Sequence, residues 1–349
     1  MGLMNQYIRQ SVDRMTGYVP GEQPLDKDIV KLNTNENPYP PSPHVQAVLQ
    51  QVATNALRYY PDPVCKRLRD RLADIHACLP DQIIVGNGSD ELLALCIRAF
   101  VERESSVGFF EPSYSLYLVL ADIEGVTANP VPLDADFQWK MPEDYVSSLF
   151  FLCNPNAPTS ILYPQEMVED FCERFSGVVV MDEAYVDFSE KDCMHLARSK
   201  ENVLVARTLS KSFSLANIRL GYLVGPLPLI QALYKIKDSY NVNGLTQDIA
   251  LAAVSDLDHM RSNVETIKST RKRVARALRD QGFYVFPSET NFLWVKPPQS
   301  SAQKLFTALR NKRILVRHFP GEQTGAFLRV TIGTDQEVDV FLEGVIGSI

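Results

Sequence analysis

The sequence predicts an α/β protein: a large domain built on a mostly parallel central sheet, with a smaller α+β domain beside it. Three observations predict this. Short apolar runs alternate with helical stretches, the runs are apolar on both faces, and several end in turns carrying polar side chains. A strand apolar on both faces must be covered on both sides, and helices crossing between parallel strands provide that cover.

In chain order, the opening is irregular. Four prolines fall within residues 35–43, which makes that segment extended and rich in turns. Residues 59–63 form a second such segment and lead into a helix over 64–75. Residues 82–85 read as a short buried strand, followed by a helix through 91–97. Further strands are expected at 106–110, 149–153, 178–181, 203–206 and 220–224, with room for one to run against the rest. After about Asp238 the texture changes to a long polar helix over 255–280, strands at 291–295, 314–317 and 327–332, and a helix over 302–310. The Arg271-Lys272-Arg273 triplet on the long helix reads as a solvated face in preference to an anion site. The expected division is a large domain over 30–238, with 1–29 and 239–349 forming an N-terminal arm and a small domain.

Composition excludes several classes. A net charge of -7 over 349 residues argues against a nucleic-acid binder working through a basic face. Nothing approaches a membrane-spanning apolar run, and residues 1–6 carry no acylation or secretion signal, so a cytoplasmic protein is expected. Cys65, Cys78, Cys96, Cys153, Cys172 and Cys193 show no C-x-x-C spacing and no His clustering. That pattern suits reduced thiols, with no metal site.

Four segments carry chemistry. Thr208-Leu209-Ser210-Lys211 places a lysine among small hydroxyl residues just past a strand, with Arg219 eight residues on. A lysine reacts with a carbonyl only as the free amine, so it needs burial or a neighbouring cation. Asp182 directly follows the run 178–181, at the carboxyl edge of a sheet, where open α/β sheets bind ligands. Gly86-Asn87-Gly88-Ser89-Asp90 joins a strand to a helix start, an arrangement that receives phosphate on backbone N–H groups. Glu91 stands where the last glycine of a dinucleotide fingerprint belongs. Asn154-Pro155-Asn156 offers an amide at another strand end. Each segment alone is weak. Together they place an amine, a carboxylate, a phosphate cup and an amide on one sheet edge, the set that pyridoxal phosphate requires.

These segments, with Tyr18-Val19-Pro20-Gly21-Glu22, Asn33-Thr34-Asn35-Glu36-Asn37-Pro38, Arg58-Tyr59-Tyr60-Pro61-Asp62, Asp182-Glu183-Ala184-Tyr185 and Leu328-Arg329-Val330-Thr331, resemble the fold-type-I pyridoxal-phosphate aminotransferases over nearly the whole chain. The resemblance implies that Lys211 forms the Schiff base with pyridoxal 5'-phosphate and shuttles the proton. It implies Asp182 on the ring nitrogen, Asn156 and Tyr185 on the ring oxygen, and Tyr114 stacked on the ring. Ser89, Asp90, Ser210 and Arg219 would hold the phosphate, with Thr208 close by. Tyr60 would reach the phosphate in the neighbouring subunit of a homodimer. Tyr18, Asn33, Arg317 and Arg329 would bind substrate. Within the family, the closest likeness is to members that exchange an amino group between histidinol phosphate and 2-oxoglutarate. Threonine-phosphate decarboxylation, aromatic amino-acid transamination and a non-enzymatic sensor domain are the alternatives. The departures from the family pattern are Ala157 and Ser160 in the strand-end turn, and Asn217 after the lysine.

Overall fold

The computed structural model describes residues 7–26, 28–298 and 301–348. The reading of residues 1–6 as lacking a signal therefore lies outside the described residues. A two-residue first strand, β1 (Val30–Lys31), precedes the large sheet. That sheet holds β2 (Ile83–Gly86), β3 (Ser106–Glu111), β4 (Thr127–Pro132), β5 (Leu149–Cys153), β6 (Val178–Asp182), β7 (Val203–Thr208) and β8 (Gly221–Val224). Their order is β2-β8-β7-β6-β5-β3-β4. Strands β3 to β7 pair in parallel, whereas β8 runs antiparallel to both β7 and β2. The central strands are almost wholly buried, as their apolar faces require.

Strand β4 was not anticipated from the sequence, because Pro130 and Pro132 argue against a strand. It sits at the edge of the sheet. Leu133 N–H donates to the carbonyl of Glu111 on β3, so the residues two apart from it face the neighbour and Pro130 and Pro132 fall on the open side. An edge strand tolerates proline there, and losing those donors blunts pairing with other chains.

The smaller unit contains β9 (Tyr284–Val285), β10 (Phe292–Lys296), β11 (Ile314–Leu315), β12 (Arg317–His318) and β13 (Leu328–Thr331). Four of these form an antiparallel sheet, β12-β13-β10-β9, while β11 pairs in parallel with β1. The single strand expected over 314–317 is thus two short ones serving different sheets. The expected division at Val30 and Asp238 cuts across these contacts. Val30–Lys31 belongs with the smaller unit, and a separate helix, Gly244–Val254, packs against helices Pro43–Gln50 and Lys66–His76 of the larger one.

The long helix begins at Leu257 and ends at Asp280, capped by the Asp256 carboxylate. Its basic triplet is not a uniformly solvated face. Arg271 is buried and donates to the carbonyls of Thr290 (2.6 Å) and Phe188 (3.3 Å), while Arg273 pairs with Asp335 and Asp339. All six cysteines are free, and five are buried. Among the described residues, no helix is long and apolar enough to cross a membrane.

Candidate active site

The chemistry-bearing residues meet because parallel strands end together. The carboxyl ends of β2, β5, β6 and β7 open onto a cleft of about 710 Å³ between the two units. The antiparallel return from β7 to β8 places Lys211 and Arg219 on the connecting loop at the same edge.

The turn after β2 forms one end of the cleft. Gly88 has φ +86°, a conformation that favours glycine, and the helix Ser89–Phe100 starts directly after it with no side-chain cap. A Cβ on Gly88 would lie 2.6 Å from Nη2 of Arg219, and one on Gly221 would lie 2.4 Å from the backbone N of Ser89. Both glycines therefore let the β8 loop press onto the helix N-terminus. Arg219 donates from Nη1 to Ser210 Oγ (3.3 Å) and from Nη2 to the Asp90 carboxylate (3.2 Å). Thr208 Oγ1 donates to Ser210 Oγ at 3.0 Å. The positive end of a helix, a guanidinium and small hydroxyls converge here, which is an anion cradle. Asp90 lends it no positive charge; its carboxylate instead anchors Arg219 and accepts from the Tyr114 hydroxyl at 3.2 Å.

Asp182 forms part of the floor. It is buried, accepting from Tyr117 Oη (2.7 Å) and from the backbone N of Ala184 (3.1 Å). Burial raises its carboxyl above the ordinary range. No cation in the chain pairs with it among the described ion pairs, so the site favours a protonated partner supplied from outside. Tyr117 was not anticipated: it sits within an apolar helical run, and nothing local distinguishes it from core.

Lys211 faces the same space. Its Nζ lies 3.4 Å from the Thr34 carbonyl and 5.6 Å from the centre of the Tyr185 ring. Burial, followed by the Arg329 cation, pushes its amine down to about 8, so roughly a tenth is the free amine at pH 7, far more than for an ordinary lysine.

The strand-end turn after β5 holds its polar side chain inward. Asn156 does not line the cleft. It is fully buried, its Nδ2 donating to the Pro112 carbonyl (3.1 Å) and Thr159 Oγ1 (2.9 Å), and its Oδ1 accepting from Ser113 Oγ (2.8 Å). Its amide is committed to holding the turn. The residues that this turn presents to the cleft are Ala157 and Pro158, which have no side-chain donor.

The opposite wall comes from the smaller unit. Arg317 and Arg329 are direct register partners on β12 and β13. Like charges in that position repel, and neither has a carboxylate partner among the described ion pairs. Arg317 donates to the carbonyls of Val19 (2.8 Å) and Pro20 (3.2 Å), and Arg329 Nη2 donates to that of Asn33 (3.0 Å). The buried Nε of Arg329 has no partner. Two arginines held side by side without an acid make a site for an anionic ligand. Tyr18, Asn33 and Tyr114 also line the cleft. Tyr60 does not: it is 80% exposed and stacks on Tyr240, with ring centroids 4.5 Å apart.

Residues 27–345 match the family model described as aminotransferase class I and II, and the chain belongs to that family. It is 42% identical over 334 residues to the histidinol-phosphate aminotransferase of Citrifermentans bemidjiense, covering 95% of each chain. It is 38% identical over 346 residues to histidinol-phosphate aminotransferase 1 of a Nostoc species, covering 98% of each. Among solved structures, the histidinol-phosphate aminotransferase of Sinorhizobium meliloti in complex with pyridoxal-5'-phosphate superposes with a TM-score of 0.89. It is 25% identical, with 99% of this chain and 98% of that one covered.

Proposed function

We infer that this chain is a pyridoxal-phosphate-dependent transaminase that exchanges an amino group between L-histidinol phosphate and 2-oxoglutarate, giving imidazole-acetol phosphate and L-glutamate. The full-length relationship to histidinol-phosphate aminotransferases carries this reading. The unpaired Arg317–Arg329 wall supports it, because both amino-group partners are anions.

The cleft fits the cofactor. The helix start at Ser89, with Ser210, Thr208 and Arg219, suits a phosphate; Asp182 suits a protonated ring nitrogen; Tyr185 suits the ring oxygen; and Lys211 suits the aldehyde. When bound, pyridoxal phosphate supplies a carbonyl for the amine and a ring that accepts electrons from the substrate's α-carbon. Asp182 keeps the ring nitrogen protonated by offering a buried negative charge. Lys211 Nζ would hold and move the proton at that carbon. Tyr114 covers one side of the space. Arg329 and Arg317 orient the substrate's phosphate in one half-reaction and a carboxylate of the dicarboxylic acid in the other, since a planar fork accepts either.

We also assign Tyr60 to the neighbouring active site of a homodimer. Its exposure, away from its own cleft, is what such a role requires. The protein is placed in the cytoplasm as a small-molecule biosynthetic enzyme.

The purified protein loaded with pyridoxal phosphate is expected to convert histidinol phosphate with 2-oxoglutarate, measured as glutamate formed. Carbon dioxide release from threonine phosphate, with no glutamate formed from histidinol phosphate, overturns the assignment. The Gly88→Ala variant is expected to bind pyridoxal phosphate about tenfold more weakly, as for one lost charge-assisted hydrogen bond, because the added methyl displaces Arg219. Unchanged affinity by fluorescence titration would show that this turn is not the phosphate anchor.

A further inference from the structure

We propose that Asn35 and Thr331 are positioning residues that force the Tyr185 hydroxyl to present its proton, rather than a lone pair, to the ring oxygen of the bound cofactor. This rests on the reading of the cleft as a pyridoxal-phosphate site.

The direction of the hydrogen-bond chain can be worked out from its donors. The backbone N–H of Asn35 donates to Thr331 Oγ1 at 3.0 Å. Thr331 Oγ1 lies 2.9 Å from Asn35 Oδ1, and Asn35 Nδ2 lies 2.9 Å from Tyr185 Oη. Asn and Tyr are ambiguous partners by themselves, since an amide can be turned over and a hydroxyl both donates and accepts. Here the ambiguity is removed at Thr331. Its oxygen already accepts from the backbone of Asn35, so its single proton must find an acceptor, and Asn35 Oδ1 is the one within reach. With the amide reversed, Thr331 would receive two donors and its own proton would be stranded in the interior, at substantial cost. Asn35 Nδ2 therefore points at Tyr185 and donates to it. A hydroxyl that accepts from a fixed amide turns its own proton outward, and outward from Asn35 is the cleft that Tyr185 lines.

The arrangement is built, not incidental. Asn35 is 1% exposed, has φ +57°, and its carbonyl accepts from Asn291 Nδ2 at 3.0 Å. Thr331 lies two residues beyond Arg329 on β13, so a strand of the smaller unit sets the hydroxyl at the end of β6 in the larger one. The ionisable groups facing Tyr185 include Arg329, Lys211, Asp182, Cys153 and Tyr114. Burial keeps its phenol neutral, pushed up to about 12.

A donor to the ring oxygen draws charge from it and loosens its hold on the proton it shares with the lysine-bound nitrogen. That proton then leaves at lower pH. The test is a pH titration of the visible absorbance of the substrate-free holoenzyme. Thr331→Val, which removes the hydroxyl that orients the amide, and Asn35→Ala are each expected to raise the midpoint by about one pH unit, the equivalent of one ordinary hydrogen bond. Thr331→Ser keeps the hydroxyl and is expected to titrate like wild type. In a Tyr185→Phe background, already shifted, Thr331→Val is expected to add nothing. Thr331→Val titrating with wild type, or shifting equally with Tyr185 absent, overturns the proposal, and it decides the matter even where Asn35→Ala does not fold. A wild-type protein that shows no visible band when supplied with pyridoxal phosphate overturns the cofactor reading instead.

Discussion

Lys211→Ala is expected to lower kcat for transamination by about a million-fold, the scale of deleting the residue that bonds covalently during turnover. The same variant is expected to lose the visible band of the lysine-bound cofactor while still binding pyridoxal phosphate through the Arg219 cradle. Those two readouts separate loss of the amine from loss of the site. The wild-type amine has a further signature. Burial and the Arg329 cation push it down to about 8, and only the neutral form attacks an aldehyde. The rate at which the cofactor-free protein takes up pyridoxal phosphate should therefore climb with pH and level off above about 8. A rate still rising towards the ordinary lysine range near 10.5 would show that Lys211 is not held in this environment.

Asp182→Asn is expected to reduce kcat by about 10²–10³-fold, the cost of removing one preorganised charge from an active site. The fold should survive, because the Tyr117 hydroxyl accepts from an amide as readily as it donates to a carboxylate. Stability gives an independent check. The Asp182 carboxyl is raised by burial, so folding disfavours its charged form. The stability it contributes is present below the unfolded carboxyl range and is lost as pH rises through the raised folded value. In its charged form, the Asp182 carboxylate of the cofactor-free wild type is a buried negative charge with no ion-pair partner among the described residues. The asparagine variant should melt at a higher temperature than wild type without cofactor, and should gain less on adding pyridoxal phosphate. Equal gains in both proteins would show that Asp182 does not pair with the ring nitrogen.

Much of the site was legible because its residues follow strands. Apolar runs such as 149–153 and 178–181 announce where strands stop, and Asp182 and Lys211 lie at or just past those stops. Two neighbours were harder. Asn156 and Ala157 are adjacent in one turn, and only the backbone path decides that Ala157 faces the cleft while Asn156 bonds the turn itself. Arg271 reads as one of three surface cations, yet it is the one whose reach ends at the buried carbonyls of Thr290 and Phe188. Strand β4 was hidden because its prolines count against a strand anywhere but at an edge, and edges are a property of the assembled sheet.

By itself, the sequence determined the α/β class, the shared sheet edge and the residue types that meet there, since periodicity and turn chemistry are local. Tertiary structure alone decided what depends on register and approach between distant segments. Arg317 stands opposite Arg329 because β12 and β13 pair in that register, and the resulting like-charge contact marks an anion site that neither residue shows alone. Thr331 reaches Asn35 across 296 positions of sequence, and Asn35 reaches Tyr185 across 150, so the orientation of one phenolic proton is written in no single segment. Hydrogen-bond direction is a property of the closed network, where every buried donor must find an acceptor, and that condition exists only once the chain has folded.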